Sequence, residues 1–196
     1  PQSLGQKPIT FYRQVLALTD YPQLMDAPEA SKLFPADVMA TAKHILENMK
    51  GGTGAYSESK GVAALRQMVA DGIEARDGGH KCDIDDLWLT DGASVACHYI
   101  MKTLIRDNND AVMVPIPQYP LYSASLALYG GTLVPYYLDE DKKWGLDVAD
   151  LKVQLDKARA AGKEVRALCV INPGNPTGAA LNVDNQKEIV QFCKDE

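Results

Sequence analysis

The stretch that decides the fold is Val165-Arg166-Ala167-Leu168-Cys169-Val170-Ile171-Asn172-Pro173-Gly174-Asn175-Pro176-Thr177-Gly178. Residues 165–171 are apolar apart from Arg166, and the run is short, which reads as a buried strand of a parallel sheet. Two Asn-Pro steps and two glycines follow. Proline removes a backbone donor and fixes φ, and glycine opens the region of positive φ. The loop therefore neither continues the strand nor starts a helix before Thr177. It leaves the carboxyl end of a strand, the edge of an open α/β sheet where ligands bind. An asparagine fixed between prolines can present its amide rigidly, so Asn175 is a candidate ligand contact.

Working outward, the pattern alternates. Leu87-Trp88-Leu89-Thr90 reads as a strand and 95–105 as a helix; 111–114 is a strand, and 120–129 a helix stopped by Gly130-Gly131. Residues 133–138 form the next strand, 139–143 a charged, solvated turn, 148–161 a helix stopped by Gly162, and 183–196 a last helix. Strand and helix in alternation predict a three-layer α/β/α sandwich with a mostly parallel sheet and right-handed crossovers. Earlier in the chain, 10–19, 36–49 and 62–75 have helical spacing of apolar residues, and Gly51-Gly52-Thr53-Gly54 opens a loop before the third of these.

Two further places carry chemistry. Asp91-Gly92-Ala93-Ser94 joins a strand to a helix, so the first helical N–H groups point at whatever sits there. The helix dipole adds about half a unit of positive charge. Small residues let an anion approach the backbone at Ala93 and Ser94, while Asp91 or Ser94 could equally serve as an N-cap. Tyr119 lies at the carboxyl end of strand 111–114, where an aromatic ring either joins the core or forms a platform for a ligand. Tyr122, one helical turn on, has the same choice. Two strings mislead: Gly52-x-Gly54 lacks the third glycine of a dinucleotide fingerprint, and Ser57-x-x-Lys60 lacks the partner motifs of the penicillin-recognising enzymes.

The 196 residues are 46% hydrophobic, enough for a core, and carry a formal charge of −6. No basic run exceeds two residues, which argues against a nucleic-acid surface. No apolar run is long enough for a membrane-spanning helix. Cys82, Cys97, Cys169 and Cys193 form no C-x-x-C pair and suggest reduced thiols in an intracellular protein. His44, His80 and His98 have no ligand spacing, so no metal site is expected. A start at Pro1 and an end inside a helical pattern read as a piece of a longer chain.

Asn172-Pro173-Gly174-Asn175-Pro176-Thr177-Gly178 resembles the cofactor-binding loop of the fold-type I, class I aminotransferases, enzymes that use pyridoxal 5'-phosphate. Thr53-Gly54-Ala55-Tyr56-Ser57, Thr90-Asp91-Gly92-Ala93-Ser94 and Pro115-Ile116-Pro117-Gln118-Tyr119-Pro120-Leu121-Tyr122 resemble the alanine aminotransferase branch, and the likeness covers essentially the whole chain. The resemblance implies an incomplete large domain of fold type I over 51–196, with 1–50 supplying an N-terminal segment and a helix of the small domain. It implies that Asn175 hydrogen-bonds the phenolic oxygen of the cofactor and that Pro176 is cis. Ala93 and Ser94 would hold the cofactor phosphate, Tyr119 would stack on the pyridine ring, and Tyr56 would reach the phosphate of the other subunit in a homodimer.

The reaction implied is transfer of an amino group from L-alanine to 2-oxoglutarate, giving pyruvate and glutamate. Three parts of that chemistry are expected past Glu196: the Schiff-base lysine, an acid facing the pyridine nitrogen, and an arginine for the substrate carboxylate. Lys60 precedes the Asn-Pro-Thr-Gly loop and is not that lysine, so no catalytic residue is expected within 1–196. Other readings are another class I aminotransferase, an aminocyclopropane carboxylate synthase-like enzyme, or a non-catalytic protein that keeps the fold for binding. A continuation bearing Asp-x-x-Tyr and then Ser-Lys or Ser-x-x-Lys separates the last of these from the rest. The compartment, cytoplasm or mitochondrion, is not encoded in this stretch.

Overall fold

Strand β1, Asp110–Ile116, is buried from its first residue to Pro115. It pairs in parallel with β2 (Thr132–Asp139) in the register Val112 to Leu133, and with β4 (Glu164–Leu168) in the register Ala111 to Val165. A two-residue strand β3, Gly145–Leu146, adds to β2 antiparallel. The computed structural model describes residues 2–196, and among these the sheet order is β3-β2-β1-β4.

The period-two alternation of β1 sends its side chains to two different cores. Ala111 and Met113 join Val134, Tyr136, Leu151, Leu155 and Ile189. These residues bring in α7 (Val148–Ala160) and α8 (Val183–Asp195) on that face. Val112 and Val114 join Met101, Ile105 and Leu126 on the other, with α5 (Ala93–Leu104) and α6 (Leu121–Tyr129). Each fully buried aliphatic side chain contributes about 1.5–3 kcal/mol, so the two cores together drive the association of sheet and helices. Helices on both faces of a mostly parallel sheet make the three-layer sandwich expected from the sequence. Local signals set the helix ends: Asp147 accepts from Ala149 N–H at 2.8 Å to start α7, and Gly130, at φ 74°, closes α6 in the left-handed conformation.

The sheet and its helices occupy Asp91–Glu196, one of two compact units; the residues up to Thr90 form the other. There α1 (Thr10–Asp20) and α3 (Ala36–Asn48) pack through Val15, Leu18, Val38 and Ala42. A single turn, α2 (Ala30–Leu33), precedes α3, and α4 (Ala63–Arg76) follows the 51–61 loop. Arg66 on α4 is only 2% exposed. Its guanidinium donates to the carbonyls of Gly61 (2.9 Å) and Ile84 (2.5 Å) and to the Glu58 carboxylate (2.7 Å), which satisfies a charge that burial alone would make costly.

Two expectations are corrected. Leu87-Trp88-Leu89-Thr90 is not a strand: a short 3-10 turn, Ile84–Asp86, leads into it, and Leu89 N–H bonds the Lys60 carbonyl at 2.8 Å without any ladder. A strand is defined by a paired ladder, and this stretch is not among the strands of the sheet. The segment 165–171 is neither as long nor as buried as its apolar composition suggests. Its ladder ends at Leu168, and β4 sits at the sheet edge with Glu164 and Arg166 exposed, because β1 is its only neighbour among the described residues. The charged turn at 139–143 continues into β3, with Lys143 and Trp144 at positive φ turning the chain back.

Candidate functional site

The carboxyl edge of the parallel strands gathers the candidate residues of the second unit. Helix α5 opens at Ala93 behind Gly92, whose φ of 86° suits glycine. The N-cap position falls on Gly92, not on Asp91 or Ser94, and no acid occupies the first turn. Ala93 and Ser94 are exposed. The outcome is a helix N-terminus whose leading N–H groups and partial positive charge face outward, which suits an anion. Cys97, one turn into α5, lies beside Tyr122 and Cys169, which ties the start of this helix to the far ends of α6's first turn and β4. Burial pushes the Tyr122 hydroxyl and the Cys169 thiol each up to about 12.

Tyr119 follows the cis Ile116-Pro117 bond at the end of β1 and is 47% exposed. Its ring is thus available to a ligand. Tyr122 is not: it packs against the cluster of Met101, Ile105, Val112 and Leu126 as a core residue. Between Pro117 and Tyr119, the side-chain oxygen of Gln118 is buried without a hydrogen-bond partner among the described residues. No sequence signal marks that residue.

The loop after β4 is held at many points. Cys169 N–H bonds the Met113 carbonyl at 2.8 Å, and its carbonyl accepts from the Tyr136 hydroxyl at 2.7 Å. Burial pushes the Tyr136 hydroxyl well above its ordinary range, so it stays a donor. The Asn172 side-chain oxygen accepts from Leu181 N–H at 3.0 Å. Gly174 N–H bonds the Ala179 carbonyl (2.7 Å) and Gly178 N–H the Gly174 carbonyl (2.8 Å). Both Asn-Pro bonds of the loop, Asn172-Pro173 and Asn175-Pro176, are cis. Within this framework Asn175 is exposed, and among the described residues its side-chain amide bonds to nothing. A cavity of about 20 Å³ beside it, bounded by Tyr136, Trp144 and Thr177, has room for one water and no ring.

In the first unit, Tyr56 stands fully exposed in the 51–61 loop. Arg66 steadies that loop through Glu58 and Gly61. Lys60 is engaged with the Asp85 carbonyl at 2.7 Å and lies 5.6 Å from the centre of the Trp88 ring, a structural role. The clamp made by Arg66 escaped sequence reading, since an arginine in a helix is normally solvated.

A profile of the family described as "Aminotransferase class I and II" matches residues 26–196. Alanine aminotransferase 2 of Panicum miliaceum is 57% identical over 197 residues, covering 100% of this chain and 41% of the relative. Glutamate--glyoxylate aminotransferase 1 of Arabidopsis thaliana is 53% identical over 196 residues, covering 100% of this chain and 40% of the relative. Among solved structures, an alanine aminotransferase from Pyrococcus furiosus superposes with a TM-score of 0.65 at 29% identity, over 78% of this chain and 37% of that one. The chain spans about two fifths of the length of the curated relatives it matches. Its sandwich, its Asn-Pro-Gly-Asn-Pro-Thr-Gly loop and the profile match over most of its length agree, and the chain belongs to the class I and II aminotransferase family.

Proposed function

We propose that this chain is the cofactor-binding part of an L-alanine:2-oxoglutarate aminotransferase that works with pyridoxal 5'-phosphate. The observation that carries the reading is a pinned loop with a free amide: Cys169, Asn172, Gly174 and Gly178 are each bonded, and Asn175 is left over. A group with a phenolic oxygen, an aromatic ring and a phosphate fits what the second unit offers. The Asn175 amide donates to the phenolic oxygen, the Tyr119 ring stacks, and the N-terminus of α5 at Ala93 and Ser94 takes the phosphate. When bound, the cofactor supplies the electron sink for the amino-acid carbanion. This chain's residues orient the ring and hold its phosphate, while the sheet keeps the three loops in fixed relation. We assign no catalytic residue to 1–196 and place the Schiff-base lysine beyond them.

Substrates of this reading are an amino acid and a 2-oxo acid. The assembly is a homodimer in which Tyr56 completes the neighbouring subunit's phosphate site. Residues 1–50 belong to the small domain and 51–196 to the large one. The protein is intracellular, in cytoplasm or mitochondrion. Among the described residues no helix is long and apolar enough to cross a membrane. A second reading, glutamate:glyoxylate aminotransfer, is favoured by the relative of that name at 53% identity over the whole chain.

The test is cofactor retention in the full-length protein. Tyr119→Ala should release pyridoxal phosphate on dialysis and shift its visible absorption, and Tyr119→Phe should retain both. Equal retention in Tyr119→Ala and the parent protein overturns the platform. Parallel assays with alanine plus 2-oxoglutarate and with glutamate plus glyoxylate decide between the two substrate pairs.

A further inference from the structure

The two asparagines of the Asn-Pro-Gly-Asn-Pro string are chemically identical in sequence and different in the fold. Asn172 spends its side-chain oxygen on Leu181 N–H at 3.0 Å, closing the base of the loop. Asn175, three residues on, has an unbonded amide. The return side of the loop is anchored by a third asparagine. Asn185 on α8 uses its side chain as a strand would use a backbone unit: its oxygen accepts from Leu146 N–H (3.1 Å) and its Nδ2 donates to the Leu146 carbonyl (2.8 Å). The Asn182 side chain in turn caps α8 by accepting from Asn185 N–H at 2.8 Å. Leu181 is thereby held from both directions, by Asn172 across the loop and by the α8 N-terminus that follows it.

We propose that Asn172 is a positioning residue for the Asn175 amide: its bond to Leu181 fixes the loop that aims Asn175 at the bound ring. The proposal rests on the reading that Asn175 contacts the cofactor. Asn172 itself touches no ligand in this arrangement. Its oxygen is committed, and its effect on binding passes through Asn175. Asn185 supports the same loop from the sheet side but also completes β3, so its loss disturbs more than the loop. Asn172 is therefore the residue on which the idea is tested.

The experiment is a double-mutant cycle in the full-length protein, reading the dissociation constant of pyridoxamine phosphate, which binds without a covalent bond to lysine. Asn175→Ala should weaken binding roughly tenfold or more, as loss of a hydrogen bond to a charged oxygen does. Asn172→Ala should weaken it about three- to tenfold in the parent background and leave it unchanged in the Asn175→Ala background. Asn172→Asp keeps an oxygen for Leu181 N–H and should restore most of the affinity, which also serves if the alanine variant does not fold. Equal losses from Asn172→Ala in both backgrounds, or an Asn172→Asp protein as weak as Asn175→Ala, overturn the positioning role. No loss from Asn175→Ala alone overturns the cofactor reading instead, so the two failures are distinct.

Discussion

Tyr136 and Cys169 lie on opposite sides of the central strand and are joined over it, the buried phenol on β2 donating to the carbonyl just past β4 at 2.7 Å. That carbonyl lies three residues before Asn172, the first residue of the loop of the two Asn-Pro steps. Removing the hydroxyl leaves this part-buried carbonyl without that donor. Tyr136→Phe should therefore cost about 1–3 kcal/mol, the penalty for an orphaned part-buried acceptor, offset slightly by the lower desolvation of the ring. A urea midpoint at constant slope measures it. No change in midpoint would mean that the carbonyl finds another partner.

Arg66 makes the corresponding link in the first unit, and its burial sets the cost of losing it. Arg66→Met keeps the aliphatic bulk and orphans the Gly61 and Ile84 carbonyls. Glu58 is more than half exposed, so its lost ion pair adds little. Two part-buried carbonyls put the destabilisation at about 2–4 kcal/mol. Arg66→Lys should recover only part of it, because an ammonium cannot span three acceptors in the geometry of a guanidinium. Equal stability of the Met and Lys variants would show that the fork geometry is irrelevant.

What the sequence disclosed follows the range of the interactions involved. Helix α7 was legible to within a residue because its stop and start are local: Asp147 caps it and Gly162 follows it. The three-layer class was legible because β1 carries an uninterrupted apolar run with two helices on either side of it in the chain. Leu87–Thr90 was misread because pairing is a non-local property that apolar composition only permits. The family string singled out Asn175 as a candidate, and the fold leaves it exposed, whereas the stapling roles of Asn172 and Asn185 were not legible. Each depends on a backbone group, Leu181 N–H or Leu146, that only the folded loop brings near. Gln118 gave no signal at all.

Asp110 opens β1 as a fully buried carboxylate and receives Arg106 N–H (2.8 Å), Arg106 Nε (2.9 Å) and Arg166 Nε (2.7 Å). The Arg106 guanidinium and backbone hold its pKa below the ordinary aspartate range. A folded pKa below the unfolded one stabilises the fold at all pH above the unfolded value and loses that contribution as pH falls through the folded value. The stability gap between the parent protein and Asp110→Asn should thus be constant from pH 5 to 8 and shrink below about pH 4. Denaturant titrations at each pH check it. A gap that holds to pH 2 would assign the acid limb to other carboxylates.

Gly174 is the tightest point of the candidate site. A Cβ there would collide with the Thr177 hydroxyl oxygen, which also accepts from Ala179 N–H at 3.3 Å. Gly174→Ala therefore forces Thr177 to another rotamer and removes that bond, and the backbone bond from Gly174 N–H to Ala179 lies beside the disturbance. The expected cost is about 1–2 kcal/mol from overpacking and one lost hydrogen bond. Thr177→Ala alone removes the bond but also the obstacle. The double variant Gly174→Ala, Thr177→Ala should consequently be more stable than the sum of the single losses predicts, by at least about 0.5 kcal/mol. Strict additivity in thermal or urea unfolding would place the cost of Gly174→Ala in the backbone instead of in its contact with Thr177.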